Sequence, residues 1–225
     1  MRIINNSAGI ISSFGEFFVT LLKYITMKNL IIISAIIILI FIVVQAYAMA
    51  NSGNTEKQKY TVVKKEKEFE IRFYPSATFA TVKSNAKTYK ELASPGFRSL
   101  AGYIFGGNES GMKIPMTSPV HMDINDSVSS MSFVMPEGMN PDNLPEPRDR
   151  KIEISRTKDE YVAAIRFGGF ASDRDLKKYS EKLDNLLKQH GIKVNGHYRY
   201  LGYNPPFQLF GRRNEIVVPI IWNEN

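Results

Sequence analysis

Residues 95–107 read PGFRSLAGYIFGG, and this stretch defines the first helix of the fold. Its apolar residues recur with the spacing of one helix face, at Phe97, Leu100, Ala101 and Ile104. Ser94 is a favourable N-cap, Pro95 follows it at the first helical position, and Gly106-Gly107 ends the helical pattern. The stretch therefore predicts an amphipathic helix over 95–105, extended backward by residues 87–92.

A second amphipathic helix is predicted over residues 173–190. Ser172 is followed three residues later by Asp175, which is the spacing of a capping box, and Gly191 comes just after the last turn. The apolar stripe of this helix consists of Leu176, Tyr179, Leu183, Leu186 and Leu187. Short strand-like runs flank each helix, so the order strands, helix, strands occurs twice.

The strand-like runs define the fold class. Residues 68–73 place an apolar side chain at every second position, which is typical of a half-buried strand. Residues 216–221 are apolar on both faces, as in a central strand. An irregular connection rich in Pro, Asn and Asp, residues 136–150, separates the halves. We predict an α+β domain of two similar halves, in which a pseudo-symmetric curved antiparallel sheet or barrel is flanked by two helices.

An apolar helix precedes this domain. Residues 30–44 read LIIISAIIILIFIVV, and residues 45–50 extend the run to about the 20 residues that a membrane span needs. The small residues at Ala46-x-Ala48 and Ala48-x-Ala50 also fit a signal-peptide cleavage site. Two alternatives remain open, a cleaved signal peptide and a retained transmembrane anchor. Either one predicts a soluble domain that is membrane-anchored or exported, for example to the periplasm.

These patterns divide the chain into four segments. Residues 1–29 form an N-terminal extension, in which Met27 is an alternative translation start, and residues 30–50 form the signal or anchor helix. Residues 51–58 are polar and aperiodic, as in a linker. The folded domain is predicted over 59–225.

Composition and motifs exclude several classes of function. The chain has no cysteine, which excludes disulfides, thiolate metal sites and thiol nucleophiles. It contains no nucleophile elbow, phosphate-binding P-loop or zinc-protease motif, and no residue is assigned a catalytic role. The net charge of +7 is spread among acidic residues rather than clustered, so we expect no nucleic-acid partner. The pattern does not define an oligomeric state.

The histidines are weak metal-ligand candidates. In residues 113–124 the apolar side chains share the even positions, at Ile114, Met116, Val120, Met122 and Ile124. A strand that is regular through Pro119 turns His121 toward solvent, whereas a bulge at Pro119 would reverse this orientation. His197 lies in a predicted strand and could face either way. We therefore assign no metal ligand, and keep His121 and His197 as weak candidates only.

Several motifs in order resemble the SOUL haem-binding proteins, over roughly residues 59–221. One is Gly96-Phe97-x-x-Leu100-x-x-Tyr103-Ile104-x-Gly106-x-Asn108, and the next is Lys113-Ile114-x-Met116-Thr117-x-Pro119-Val120. The later ones are Gly202-Tyr203-Asn204-Pro205-Pro206 and Arg212-Arg213-Asn214-Glu215. The resemblance implies the same two-half fold and non-enzymatic binding of haem or another tetrapyrrole in an apolar groove, for buffering, transport or sensing.

The resemblance also implies site residues. The groove would be lined by Phe97, Leu100, Ala101 and Ile104 of the first helix, opposed by Met116, Tyr198 and Tyr200. Arg98 could meet a propionate, because a guanidinium suits carboxylates. A charge at Ala101 or Ile104 is then expected to weaken binding without unfolding the domain. The alternative function is a binding module for another hydrophobic small molecule or a protein partner on the same scaffold. If residues 30–50 are not cleaved, the membrane is a further expected partner through this helix.

Overall fold

The computed structural model describes residues 27–223, and the chain divides between Tyr47 and Ala48 into two compact units, which are described separately. Helix α1 spans Met27–Asn54, with an exposed apolar surface along its first part. An 18-residue stretch of this helix has a mean hydropathy of 2.9, which together with the helix length suits a membrane span, and a signal sequence has the same properties. The helix continues through residues 51–54, which the sequence pattern assigned to the linker. The predictions for residues 1–26 lie outside the described residues.

The second unit contains a curved antiparallel sheet and two further helices. Helix α2 spans Tyr89–Ile104 and helix α3 spans Asp173–Gln189. The strands of the first half are β1 (Glu56–Lys57), β2 (Thr61–Lys65), β3 (Glu70–Tyr74), β4 (Thr78–Ser84), β5 (Thr117–Ser118), β6 (Val120–Asp123) and β7 (Ser129–Val134). Those of the second are β8 (Ile152–Arg156), β9 (Glu160–Phe167), β10 (Lys193–Val194), β11 (Arg199–Gly202) and β12 (Asn214–Ile221).

The strand order confirms the predicted two-half architecture. It runs β2-β3-β9-β12-β11-β6-β7-β4-β8, while β10 adds to β12, and β1 and β5 form a separate parallel pair. In each half a long strand is followed by a helix and three strands, of which the first has only two residues, and the long strand pairs with the last of the three: β4 with β7, and β9 with β12. The strand that precedes this long strand in each half pairs into the other half, β3 with β9 and β8 with β4. The halves meet where β6 pairs with β11.

Both helices cover the same face of the sheet. Helix α2 packs on β4 and β7, and α3 packs on β9 and β12. One continuous apolar core joins them, with Leu100 and Ile104 from α2 and Leu183 and Leu187 from α3. A smaller cluster that includes Val162, Leu201 and Val217 lies on the opposite face. Because side chains alternate along a strand, neighbouring residues of one strand enter these two separate cores.

The two helix N-termini show that the local sequence pattern predicted one N-cap correctly and the other incorrectly. The Ser172 hydroxyl accepts from the Asp175 amide at the start of α3, which confirms the predicted cap. The predicted cap at Ser94 is wrong, because α2 begins at Tyr89 and the side chain of Thr88 accepts from the Glu91 amide. Pro95 lies inside α2 rather than at its start. The earlier cap lets the helix bury Leu92 in the core as well.

Candidate functional site

A cavity of about 680 Å³ lies between helix α2 and the junction of β6 with β11. Phe97, Arg98 and Ala101 line it from the helix, and Met122 and Tyr200 line it from the sheet. The loop after β11 contributes a third wall with Asn204, Pro206 and Arg212. Its volume falls within the range of about 300–1,000 Å³ that is usual for small-molecule sites. An apolar body with a few polar groups can therefore be enclosed here.

Aromatic side chains shape the floor of the cavity. The rings of Tyr89 and Tyr200 meet edge to face with centroids 5.4 Å apart. The Tyr200 hydroxyl donates to Asn214 Oδ1 at 2.7 Å, and burial raises the pKa of this phenol. A Cβ at Gly202 would lie 3.0 Å from the Tyr200 hydroxyl, so the absence of a side chain there leaves room for the ring. Tyr200 is thus a fixed, neutral surface for a ligand to pack against.

Two arginines border the cavity. Arg98 is exposed on α2. Arg212 is half-buried, its Nη1 donates to the carbonyls of Pro205 and Gln208, and its guanidinium lies 4.4 Å from the centre of the Phe170 ring. The buried Nε of Arg212 has no hydrogen-bond partner among the described residues. The cavity therefore combines an apolar interior with cationic groups suited to carboxylates.

The structure brings only part of the predicted groove together. Phe97, Arg98, Ala101 and Tyr200 line the cavity. Leu100 and Ile104 do not line it, since they are buried in the core between α2 and the sheet. The predicted stripe was correct for the helix as a whole, but its centre packs on the sheet and only its edge reaches the cavity.

Two other predicted groove residues lie elsewhere. The single strand that the pattern predicts over 113–124 is broken, since Pro119 separates β5 from β6. Met116 lies just before β5 and is 37% exposed. The hydroxyl of Tyr198 donates to Asp184 Oδ1 of α3 at 3.0 Å, and this side chain is not among the residues that line the cavity.

The prediction that His121 faces solvent is wrong. Its strand parity was correct, since Met122 faces the cavity and His121 faces the other side of the sheet, but that side is also covered. His121 Nε2 lies 2.8 Å from Gln58 Oε1, and its ring packs edge to face on Phe79. Burial, reinforced by the charge of Arg199, holds the pKa of His121 well below its usual range.

His197 does not reach the cavity either. Its side chain is 66% exposed, and its Nδ1 lies 3.7 Å from Asp123 Oδ2. Neither weak candidate is therefore placed to coordinate a ligand in this cavity.

Sequence reasoning missed several residues that border the cavity. They include Tyr89, Phe105, Pro206 and Arg212. The signal for Arg212 was present in the motif that it opens, Arg212-Arg213-Asn214-Glu215. Its position in the cavity wall depends on the fold of the loop after β11, which periodicity does not define.

A buried polar network lies on the opposite face of the sheet. Glu215 is fully buried and accepts from Arg72 Nη1 at 2.7 Å and Nη2 at 3.1 Å. Arg213 and the Tyr203 hydroxyl also donate to it. Burial alone would raise the pKa of Glu215, but the hydrogen bonds and charges of Arg72 and Arg213 hold that pKa below its ordinary value. This network is fully paired, which favours a structural role.

Comparisons with known proteins identify the family. A family model described as SOUL heme-binding protein matches residues 55–219. The chain belongs to this family. It is 31% identical over 156 residues to heme-binding protein 2 of Mus musculus, which covers 66% of this chain and 76% of the relative. Heme-binding protein 1 of Xenopus laevis is 29% identical, over 73% of this chain and 92% of the relative.

The fold is also similar to that of solved structures with different sequences. The crystal structure of a hydrolase from Listeria innocua has a TM-score of 0.51 at 9% identity, over 71% of this chain and 94% of that chain. At this identity the similarity concerns the fold alone.

Proposed function

We propose that the chain binds haem or a related tetrapyrrole, without catalysing a reaction, in the cavity between α2 and the β6–β11 junction. The observation that carries this proposal is the 680 Å³ apolar cavity bordered by Arg98 and Arg212, in a chain whose curated relatives are named for heme binding. Apolar walls suit a large planar ring, and guanidinium groups suit its carboxylates.

The cavity fits the ring and carboxylates of a haem better than it fits histidine coordination of the iron. None of the described residues that line it is a histidine. Methionine and tyrosine can also coordinate haem iron, and Met122, Tyr89 and Tyr200 line the cavity. The raised pKa of Tyr200 opposes the phenolate form that coordination by tyrosine requires. Enclosure of the ring and pairing of its carboxylates are therefore the proposed basis of binding.

A titration of the full chain with haem tests the proposal. We expect saturable binding with a shifted Soret band. Ala101→Glu should weaken binding at least tenfold, because it places a carboxylate against an apolar ring inside the cavity. Asn185→Glu adds the same charge at an exposed position of α3, and serves as the matched control. Non-saturable uptake of haem, or equal effects of the two substitutions, contradicts the proposal.

Blocking the haem carboxylates tests the role of the arginines. Arg98→Gln should reduce affinity for haem and leave affinity for haem dimethyl ester unchanged, because the ester has no carboxylate to pair. An equal loss for both compounds would assign Arg98 to packing instead. Saturable binding of another apolar molecule that haem cannot displace would favour the alternative, a module for a different hydrophobic ligand.

We further propose that the domain acts at a membrane or after export, in buffering, transport or sensing of the ligand, and that it has no nucleic-acid partner. Helix α1 supports this location, because it is long and apolar enough to span a bilayer. N-terminal sequencing of the native protein distinguishes a retained anchor from a cleaved signal peptide. In this proposal residues 1–29 are an N-terminal extension, residues 30–50 the anchor or signal segment, residues 51–58 the linker and residues 59–225 the binding domain.

A further inference from the structure

The loop that connects β11 to β12 presents large apolar side chains to solvent. Phe207 is 53% exposed, Leu209 is 41% exposed and Phe210 is 59% exposed. Three such residues within four positions form a local apolar surface rather than isolated exposed side chains. Surfaces of this kind mark contacts with proteins or membranes.

Hydrogen bonds hold this loop in a defined shape. Gln208 is buried between the exposed residues, and its Nε2 donates to the Phe210 carbonyl at 2.8 Å. Arg212 Nη1 donates to the carbonyls of Pro205 and Gln208. The Arg213 amide donates to Asn204 Oδ1, which closes the loop at its base. The apolar side chains are therefore displayed by a braced loop.

The loop contacts the chain where the long apolar run ends. The Ser52 hydroxyl donates to Gln208 Oε1 at 2.6 Å, and Met49 lies beside Gly211. Met49 is the penultimate residue of the apolar run that begins at residue 30. If the apolar run spans a bilayer, residues 49–52 lie at the bilayer surface. The loop in contact with them then lies at the same level.

The charges beside the loop complement a lipid surface. A hollow of about 280 Å³ adjoins it, lined by Lys57, Arg166 and Arg213 and, within the described part of the chain, by no carboxylate. Arg213 is already paired with Glu215, whereas Lys57 and Arg166 are exposed. Cations near a membrane surface attract anionic lipid headgroups.

We infer that the loop over residues 204–213 is a membrane-docking surface. Phe207, Leu209 and Phe210 enter the boundary between headgroups and acyl chains, and Lys57 and Arg166 face the lipid phosphates, the arrangement of an interfacial amphipathic element. The inference rests on the part of the proposed function that keeps α1 in the membrane. It does not depend on which ligand occupies the cavity.

The docking surface borders the ligand site. Asn204, Pro206 and Arg212 of the same loop line the cavity, whereas Gln208 and Gly211 line the cationic hollow. One braced loop thus forms a wall of both, so that docking places the cavity wall against the bilayer. An apolar ligand dissolved in the bilayer would meet this wall first.

Fluorescence quenching in the full chain tests the inference. The single tryptophan, Trp222, is replaced by phenylalanine, and one reporter is then introduced at a time. Phe210→Trp reports on the loop, Ile37→Trp on the apolar helix, and Val128→Trp on an exposed apolar position between β6 and β7. Each variant is reconstituted into vesicles that contain phospholipids brominated in the upper acyl chain.

Docking predicts that the Phe210→Trp and Ile37→Trp reporters lose about half or more of their emission, while the Val128→Trp reporter is little changed. Quenching at position 37 without quenching at position 210 overturns the docking surface and leaves the anchor intact. Absence of quenching at position 37 shows that the helix is not in the bilayer, and overturns both the anchor and the docking that relies on it.

The charge requirement is tested with the same reporter. Quenching of the Phe210→Trp reporter should be stronger in vesicles with anionic lipid than in neutral ones, and Arg166→Gln with Lys57→Gln should remove that difference. Lys158→Gln, which removes an exposed charge in the turn between β8 and β9, is the matched control. Equal quenching in both kinds of vesicle, unaffected by Arg166→Gln, overturns the role of the cations.

Discussion

The two faces of the sheet at the β6–β11 junction carry opposite kinds of environment. On the helix side, Met122 and Tyr200 border an open apolar cavity. On the other side, their neighbours His121 and Leu201 are buried, and Leu201 lies opposite Glu215 of β12, which pairs with Arg72. The two environments are one residue apart along the same strands. The open face can accept a ligand, whereas on the closed face these side chains are buried and the carboxylate of Glu215 is paired.

The largest expected effect comes from breaking the closed face. Glu215→Gln leaves the buried Arg72 guanidinium with Glu70 as its one carboxylate partner among the described residues, and we expect a loss of about 3 kcal/mol in the free energy of unfolding. Urea denaturation measures this loss. The matched control is Glu153→Gln, which breaks the exposed pair with Lys83 and should leave stability nearly unchanged. Equal stability of the two variants would show that the network contributes nothing.

A smaller effect is expected from His121, through pH. The pKa of this side chain is well below 6.5 in the folded state, whereas an unfolded histidine titrates near 6.5. Below about pH 6.5 the unfolded state therefore binds a proton that the folded state does not, so stability falls with falling pH by up to about 1.4 kcal/mol per pH unit. The loss continues until the folded-state pKa is reached.

Comparison with His121→Gln isolates that contribution. The stability of this variant, measured by denaturation between pH 7 and 5, should depend less on pH than that of the wild type. His197→Gln removes an exposed imidazole and serves as the matched control. A slope that His121→Gln does not reduce would mean that folding does not lower the pKa of this histidine.

The contrast between the faces also shows what the sequence can predict. Period-two and helical patterns were sufficient for the two-half α+β fold, for the cap of α3 and for the orientation of Met122. They were not sufficient for His121, because alternation tells which side of a sheet a residue faces and not whether that side is covered. Gln58 and Phe79 provide the cover, and both are distant from His121 in sequence.

The candidate site was predictable to the same degree. The stripe of α2 identified Phe97 and Ala101, but Leu100 and Ile104 from the same stripe are core residues. A charge at Ile104 should therefore unfold the domain, contrary to the sequence expectation, while a charge at Ala101 remains a test of binding. The wall formed by Arg212 depends on a loop whose shape comes from side-chain to backbone hydrogen bonds. Such bonds leave no periodic signal in the sequence.

The smallest expected effect compares the two environments within helix α2. Gly102 is exposed beside the cavity with open space at its Cβ position, so Gly102→Ala should raise the free energy of unfolding by up to about 1 kcal/mol through helix propensity. Gly96 faces the core, where a Cβ would lie 3.2 Å from Met131, so Gly96→Ala should gain nothing or lose stability. Urea denaturation of both variants measures the difference. An equal gain in stability at both positions would mean that the core beside Met131 accommodates the added methyl group as easily as the open space at Gly102.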